Sequence, residues 1–209
     1  MSRRLILLRH GRTAWNESGR AQGHADIELD RTGHVQAEAV ARHLAAEGVG
    51  AIWSSDLARA RQTAAYVASS CGVPPKYDER LREFDVGQRQ GLTLDEFAER
   101  YPGGYAAWVR GEGLIPVKGG EVSEDVERRI VPALRECLVS LARGETGLVV
   151  THGAAMKVAV AGLLGWPQDL TISLKGVDNC AWVVVEEIEH GGRLRLAAYN
   201  RKAPHDRAR

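Results

Sequence analysis

Two short apolar runs, far apart in the chain, each end in a histidine followed by a glycine. Residues 5–8 (LILL) lead into RHG at 9–11, and residues 147–150 (GLVV) lead into THG at 151–153. Runs of this length and composition predict buried strands of a parallel sheet. Because ligands of open α/β sheets bind beyond the carboxyl ends of such strands, we expect the two imidazoles to face one crevice.

Strand and helix patterns alternate along the rest of the chain. The spacing of apolar residues predicts helices over 33–47, 57–71, 121–143 and 154–164. Short apolar runs predict strands over 4–9, 51–54, 147–152, 180–187 and 193–199, the last two as a hairpin. Asp56 is the expected N-cap of the second helix, and Pro132 should kink or restart the third. This order predicts an α/β fold, a three-layer α/β/α sandwich with a mostly parallel central sheet.

The 209 residues suit a single domain spanning 1–209. Residues 84–120 have weaker periodicity and many glycines, so we expect a small helical cap insertion there, and the polar tail 200–209 should fray. The net charge of +1 gives no reason to expect a nucleic-acid or membrane partner. Three scattered cysteines and an N-terminal apolar run too short for a signal peptide favour a cytoplasmic protein.

Charged side chains near the predicted strand ends indicate an anion site. Arg9 would end a buried strand, where an unpaired charge is costly, and Arg59 would lie in the first turn of a helix, where the macrodipole disfavours a cation. The helix that follows His152-Gly153 would add free N–H groups, and we expect Gly153 to be a substrate-binding residue. Glu83, near a predicted turn, could protonate a leaving alkoxide. Taken singly, each of these residues also fits a role without function: a hydrogen-bonded histidine at a strand end, a surface arginine or a solvated acid.

Together these residues predict a pocket for a tetrahedral dianion. A zinc site built from His10, His152 and Glu83 is the alternative. However, two fixed arginines would repel a divalent cation, and the usual spacings of zinc ligands are absent. We therefore expect no metal.

Five segments, in order, resemble the histidine phosphatase superfamily, in its phosphoglycerate-mutase-like branch. They are LLRHGRTAWN (7–16), SSDLARARQTA (54–64), LREFDVGQRQGLT (81–93), PVKGGE (116–121) and VVTHGAAMK (149–157). The resemblance covers about residues 3–200. It departs at 119–122, where this chain reads GGEV and many members read GGES, which puts a serine contact from this loop in doubt.

The resemblance implies a role for each candidate residue. His10 would be the nucleophile that becomes a phosphohistidine, and Arg9, Arg59 and His152 would hold the phosphate oxygens. Glu83 would give a proton to the leaving oxygen and then take one from water. Two further residues would contact the substrate: Asn16 and Gln22. His10 must be neutral to attack, whereas His152 would be most useful protonated. Hydrolysis of this kind needs no metal or diffusible cofactor.

The expected activity is hydrolysis of a small phosphorylated metabolite, such as a sugar phosphate or a phosphoglycerate derivative. FDVGQRQGLT follows Glu83 directly, as in the phosphatase members, whereas classical mutases of the family are longer after the acid. A cofactor-dependent phosphoglycerate mutase and an inactive phospho-ligand binding module are the alternatives.

Other features leave their roles open. Residues 178–182 (DNCAW) loosely resemble glucosyl-3-phosphoglycerate phosphatases. Tyr101, Tyr105 and Trp108 would pack either on a ligand or within the cap itself. The sequence also leaves a homodimer open.

Overall fold

The fold is built on one central sheet of six strands. The computed structural model describes residues 2–110, 117–188 and 192–203. Its strands are β1 (Arg4–Arg9), β2 (Val49–Ser54), β3 (Pro75–Tyr77), β4 (Thr146–Thr151), β5 (Trp182–Glu187) and β6 (Leu194–Arg201). In the order β3-β2-β4-β1-β5-β6, the first four strands pair in parallel, and β5 and β6 are added antiparallel. The sheet is therefore mostly parallel, as expected.

Helices cover both faces of this sheet. The α-helices are α1 (Ala14–Glu17), α2 (Arg31–Leu44), α3 (Ala58–Cys71), α4 (Leu94–Arg100), α5 (Pro102–Val109), α6 (Ser123–Ser140) and α7 (Gly153–Leu164). Along β1, Ile6 and Leu8 belong to the apolar core shared with α2 and α3. Leu5 and Leu7 belong to the core on the other face, shared with α6 and α7. This alternation follows from strand geometry, and it confirms the α/β/α arrangement.

Two local expectations are wrong. The helix predicted to kink or restart at Pro132 does not restart there, since α6 is one helix from Ser123 to Ser140; the exposed Pro132 and Arg128 leave the carbonyl freed by Pro132 on the water-facing side. Asp56 does not cap α3; its carboxylate instead accepts from Arg82 Nε at 2.7 Å. The cap comes from another part of the chain, since Asp26 Oδ1 accepts from the Ala58 N–H at 2.5 Å.

The segment predicted as a cap contains α4 and α5. Its two ends meet at a bridge between Val86 and Gly120, and residues 111–116 lie outside the described part of the chain. The start of the predicted tail belongs to β6, which runs to Arg201, while 204–209 and the hairpin turn at 189–191 lie outside the described residues. Among the helices described, none is long and apolar enough to cross a membrane.

Candidate active site

Both histidines lie at the carboxyl edge of the sheet, at the same height. The parallel register of β1 and β4 places Arg9 opposite Thr151, and the His10 amide donates to the Thr151 carbonyl at 3.1 Å. The residues that follow the two strands are therefore neighbours. The ring centroids of His10 and His152 are 5.1 Å apart, so the two imidazoles share one crevice, as the strand ends predicted.

His10 is held as a neutral imidazole. Its Nδ1–H donates to the Gly11 carbonyl at 2.7 Å, which leaves the lone pair on Nε2. The side chain is buried, and burial, followed by the charges of Arg59 and Arg9, holds the pKa of His10 well below its usual 6.5. An unprotonated Nε2 is what a nucleophilic histidine requires.

The guanidinium of Arg9, at the end of β1, uses only some of its N–H donors. Its Nη1 donates to the Val177 carbonyl at 2.6 Å, while its buried Nε has no hydrogen-bond partner in the described part of the chain. Gly153 makes this placement possible, because a Cβ there would lie 3.2 Å from Arg9 Nε. The first residue of α7 is thus a glycine, which leaves room for the Arg9 guanidinium.

Arg59 is completely buried beside the two histidines. Its Nη1 donates to the Ala25 carbonyl at 2.7 Å and its Nη2 to the Gly23 carbonyl at 2.8 Å. Among the residues that the structure describes, each of these nitrogens therefore keeps one hydrogen without an acceptor. Burial lowers the pKa of Arg59 to about 10, and the nearby carboxylates of Glu83 and Asp26 oppose this. Arg59 is therefore a cation at neutral pH, with hydrogens available for an anion.

The hydrogen bonds of His152 differ from those of the protonated form in which it would be most useful to a phosphate. Arg59 Nε donates to His152 Nδ1 at 3.2 Å, so Nδ1 must be unprotonated, and Nε2 lies 2.9 Å from Ser55 Oγ, to which its hydrogen is donated. Burial, then Arg59 and His10, lowers the pKa of His152 well below 6.5. His152 is thus neutral in this state, not protonated, because it already faces a buried arginine.

Glu83 lies at the start of α7, next to His152. Its Oε1 accepts from the Ala155 amide at 2.8 Å and its Oε2 from the Ala154 amide at 3.1 Å. The N-terminus of a helix favours a carboxylate through these free amides and through its dipole. The predicted anion site at this helix is therefore occupied in part by the protein's own acid, which is thereby brought beside the histidines.

The side-chain oxygens of Asn16 and Gln22 are engaged within the protein, so any substrate contact falls to their amino groups. Asn16 Oδ1 accepts from the Thr13 amide at 3.1 Å and from Asn179 Nδ2 at 3.2 Å. Gln22 Oε1 accepts from Thr13 Oγ1 at 3.0 Å. Asn179 also donates to the His10 carbonyl at 3.1 Å. Sequence reasoning missed Thr13 and Asn179 as site residues, although Thr13 stands just after the RHG motif.

The aromatic residues of the predicted cap mainly contact one another. The Tyr101 ring lies 5.7 Å from that of the buried Phe97, and its hydroxyl donates to Gln88 Oε1 at 2.8 Å. The Tyr105 and Trp108 rings are 6.1 Å apart. These contacts favour packing within the cap over the alternative of a ligand platform. In the PVKGGE motif (116–121), Pro116 falls outside the described residues, and the Glu121 carboxylate pairs with Arg129.

Within the described ranges, no three His, Cys, Asp or Glu side chains are grouped so as to hold a metal ion. The sequence profile of the histidine phosphatase superfamily (branch 1) matches residues 5–200. The chain belongs to this superfamily. The match covers both histidines, both arginines and the acid described above, and it confirms the family inferred from the motifs.

Individual members of the superfamily are similar over most of their length. The probable phosphoglycerate mutase GpmB of Salmonella paratyphi B is 38% identical over 165 residues, which cover 78% of this chain and 75% of that protein. A mycobacterial glucosyl-3-phosphoglycerate phosphatase in complex with VO3 is 34% identical, with a TM-score of 0.87 over 95% of this chain and 99% of that one. A phosphoserine phosphatase mutant from Entamoeba histolytica, in complex with phosphoserine, is 28% identical, with a TM-score of 0.82 over 95% and 96% of the two chains.

Proposed function

We propose that this protein is a phosphomonoesterase that hydrolyses a small phosphorylated metabolite through a phosphohistidine on His10. The observation that carries the proposal is a neutral imidazole with a free Nε2 lone pair beside two arginines that keep unused N–H groups. A phosphoryl group bound there would have its charged oxygens held and its phosphorus facing a nucleophile. In phosphoryl transfer, catalysis is mostly positioning and electrostatic stabilisation, which this pocket can supply.

The first step transfers the phosphoryl group to the protein. The Nε2 lone pair of His10 attacks phosphorus, and the ester P–O bond breaks with its electron pair leaving on the alkoxide. Glu83, in its protonated form, gives that oxygen a proton. The Nδ1–H of His10 keeps its hydrogen bond to the Gly11 carbonyl. This bond fixes the ring while the ring gains positive charge. Arg9 and Arg59 hold the equatorial oxygens, and the side-chain amino groups of Asn16 and Gln22 are further donors. The one hydrogen of neutral His152 is given to Ser55 Oγ, so His152 donates to the phosphate only if this hydrogen exchanges its partner when substrate binds.

The second step returns the site to its starting state. Water attacks the phosphohistidine, the P–N bond breaks, and the electron pair returns to His10 Nε2. Glu83, now a carboxylate, takes a proton from the attacking water. Inorganic phosphate then leaves. Each step needs Glu83 in a different protonation state, so the acid and base roles fall to one side chain.

The substrate class we propose is a sugar phosphate or a phosphoglycerate derivative. Two similar solved proteins are named as phosphatases of glucosyl-3-phosphoglycerate and phosphoserine, which are small phosphomonoesters. We propose the cytoplasm as the compartment, in keeping with three free cysteines. We propose that turnover needs no metal and that the protein has no nucleic-acid or membrane partner. Sedimentation of the purified protein tests whether it forms a homodimer.

A phosphoglycerate mutase is the second candidate, because the matched GpmB proteins bear that name. A mutase returns the phosphoryl group to a second hydroxyl before water reaches it. It should therefore interconvert 2- and 3-phosphoglycerate in a coupled assay after priming with bisphosphoglycerate. Isomerisation faster than phosphate release would favour this candidate over the phosphatase.

A panel of phosphorylated metabolites tests the proposal directly. Phosphate release is measured with chelator present, for the wild type and for His10→Ala. We expect release by the wild type, none by the variant, and an acid-labile phosphoryl adduct on His10 when turnover is quenched. A wild type that binds phosphate but releases none from p-nitrophenyl phosphate or any metabolite would support the inactive binding module. Loss of activity with chelator would support the zinc alternative.

A further inference from the structure

The backbone leading to Glu83 is held by side chains. Four successive carbonyls, those of residues 80–83, each accept a hydrogen bond from a side chain. Thr151 Oγ1 donates to the carbonyl of residue 81 at 2.8 Å, and His24 Nε2 donates to the carbonyl of Glu83 at 2.8 Å. The remaining bonds come from Arg129 of α6. The segment is a 3₁₀ turn (Glu79–Leu81) followed by backbone that belongs to no strand, and these side-chain bonds fix it in place.

Arg129 uses all five of its guanidinium hydrogens. Nη1 donates to the carbonyls of Arg80 and Arg82 at 2.9 and 2.8 Å, and Nη2 donates to the Glu83 carbonyl at 2.8 Å. The other two hydrogens form a bidentate pair with the Glu121 carboxylate, each bond 2.8 Å long. Only arginine offers five donors in one rigid plane; a lysine ammonium has three donors at a single point.

Glu121 links the Arg129 guanidinium to Asp85, at the start of the predicted cap. Its Oε2 also accepts from the Asp85 amide at 2.8 Å, and its own amide donates to the Asp85 carbonyl at 2.8 Å. Burial opposes ionisation, but hydrogen bonds from Arg129 and the Asp85 amide hold the pKa of Glu121 below its usual value. Glu121 therefore stays a carboxylate at neutral pH, and Arg129 keeps its charged partner.

We propose that Arg129, held by Glu121, is a positioning residue that sets the place of the Glu83 carboxyl group, an inference that rests on the proposed function. Arg129 donates to the main chain of Glu83 and not to its carboxylate, so it acts through the acid and not on the phosphate. The carboxylate itself is the group that reaches the α7 amides beside His152. Displacing a catalytic group by about 1 Å can cost about 10²-fold in rate, so this scaffold sets the efficiency of proton transfer.

The dependence on the leaving group distinguishes positioning of an acid from general damage. A poor alkoxide leaving group needs a proton, whereas p-nitrophenolate leaves with little help. The rate constant of the first turnover is measured for Arg129→Lys with p-nitrophenyl phosphate and with the alkyl phosphate that the wild type hydrolyses fastest. We expect a loss of about 30-fold with the alkyl phosphate and under about threefold with p-nitrophenyl phosphate. The ratio of the two constants, taken on one preparation, does not depend on the fraction of folded protein.

Two further variants complete the test. Glu121→Gln should change the same ratio in the same direction, and Arg128→Lys, an exposed neighbour on α6, should leave it at the wild-type value. In a double-mutant cycle, adding Arg129→Lys to Glu83→Gln should cost less than about twofold more with the alkyl phosphate, because the acid is already gone. Equal losses for both leaving groups, or full additivity in the cycle, would overturn the inference. A wild type inactive on both esters would instead reject the proposed function.

Discussion

Replacing Gly153 with alanine probes how closely Arg9 is held against the start of α7. The added Cβ would lie 3.2 Å from Arg9 Nε, 3.4 Å from Cζ and 3.5 Å from Cδ. Arg9 must then move by a few tenths of an ångström, away from a position fixed by its 2.6 Å bond to the Val177 carbonyl. If about 1 Å of misplacement costs about 10²-fold, a shift of about 0.3 Å costs about fourfold.

The assay separates activity from stability. We expect kcat/KM for p-nitrophenyl phosphate to fall about fourfold in Gly153→Ala, with inorganic phosphate inhibiting correspondingly less well. The melting temperature should stay at or above the wild-type value, since alanine favours helix more than glycine does. Gly153→Val should enlarge the shift and lower kcat/KM by about 10²-fold.

Gly103→Ala is the matched control. Gly103 also lies in the first turn of a helix, α5, but a Cβ there would have no atom within 4 Å. Its kcat/KM should equal that of the wild type. Wild-type kinetics for Gly153→Ala, or equal losses in both variants, would refute the reasoning that Arg9 must sit against Gly153 to serve the site.

The remaining predictions concern the buried charges and the helix cap. Because the pKa of His10 is lowered in the folded state, the unfolded chain binds more protons near and below pH 6.5, and stability is lost as the pH falls. Between pH 6.5 and 5, the unfolding free energy of His10→Gln, measured by urea titration, should fall less steeply than that of the wild type by about 1.1 kcal/mol per pH unit on average. Arg59→Lys should lower kcat/KM by about 10²–10³-fold, since one ammonium cannot replace three fixed bonds and also hold phosphate. Asp26→Ala should lower the unfolding free energy by about 1 kcal/mol, by removing the acceptor of the Ala58 amide; an unchanged midpoint in denaturant would contradict this.

The parts of the fold that follow from local pattern were predictable from the sequence. The apolar runs that end at Arg9 and Thr151 mark two strands, and their pairing in register brings His10 and His152 together. Family motifs located the acid, Glu83. These features depend on residues close together in sequence, or on the general rule that strand ends meet at one edge of a sheet.

What escaped prediction depends on partners far along the chain. Asp26 caps α3 from 32 positions away, so the nearer Asp56 looked the better candidate. The protonation state of His152 depends on which donor faces its Nδ1, and that donor is the buried Arg59. The sequence around Arg129 likewise does not indicate that its guanidinium donates hydrogen bonds to carbonyls of residues nearly 50 positions earlier.

The position of β1 in the sheet has a consequence for biosynthesis. Of the six strands, β1 leaves the ribosome first, yet it is flanked in the sheet by β4 and β5, which are made much later. Until residue 151 has emerged, the LILL stretch has neither neighbour, and it lacks the second one until residue 187 has emerged, so it remains free to associate with other chains. Pairings between such distant segments form slowly. We therefore expect phosphatase activity to be the last property acquired on refolding, and expression yield to benefit from chaperones that shield the amino terminus.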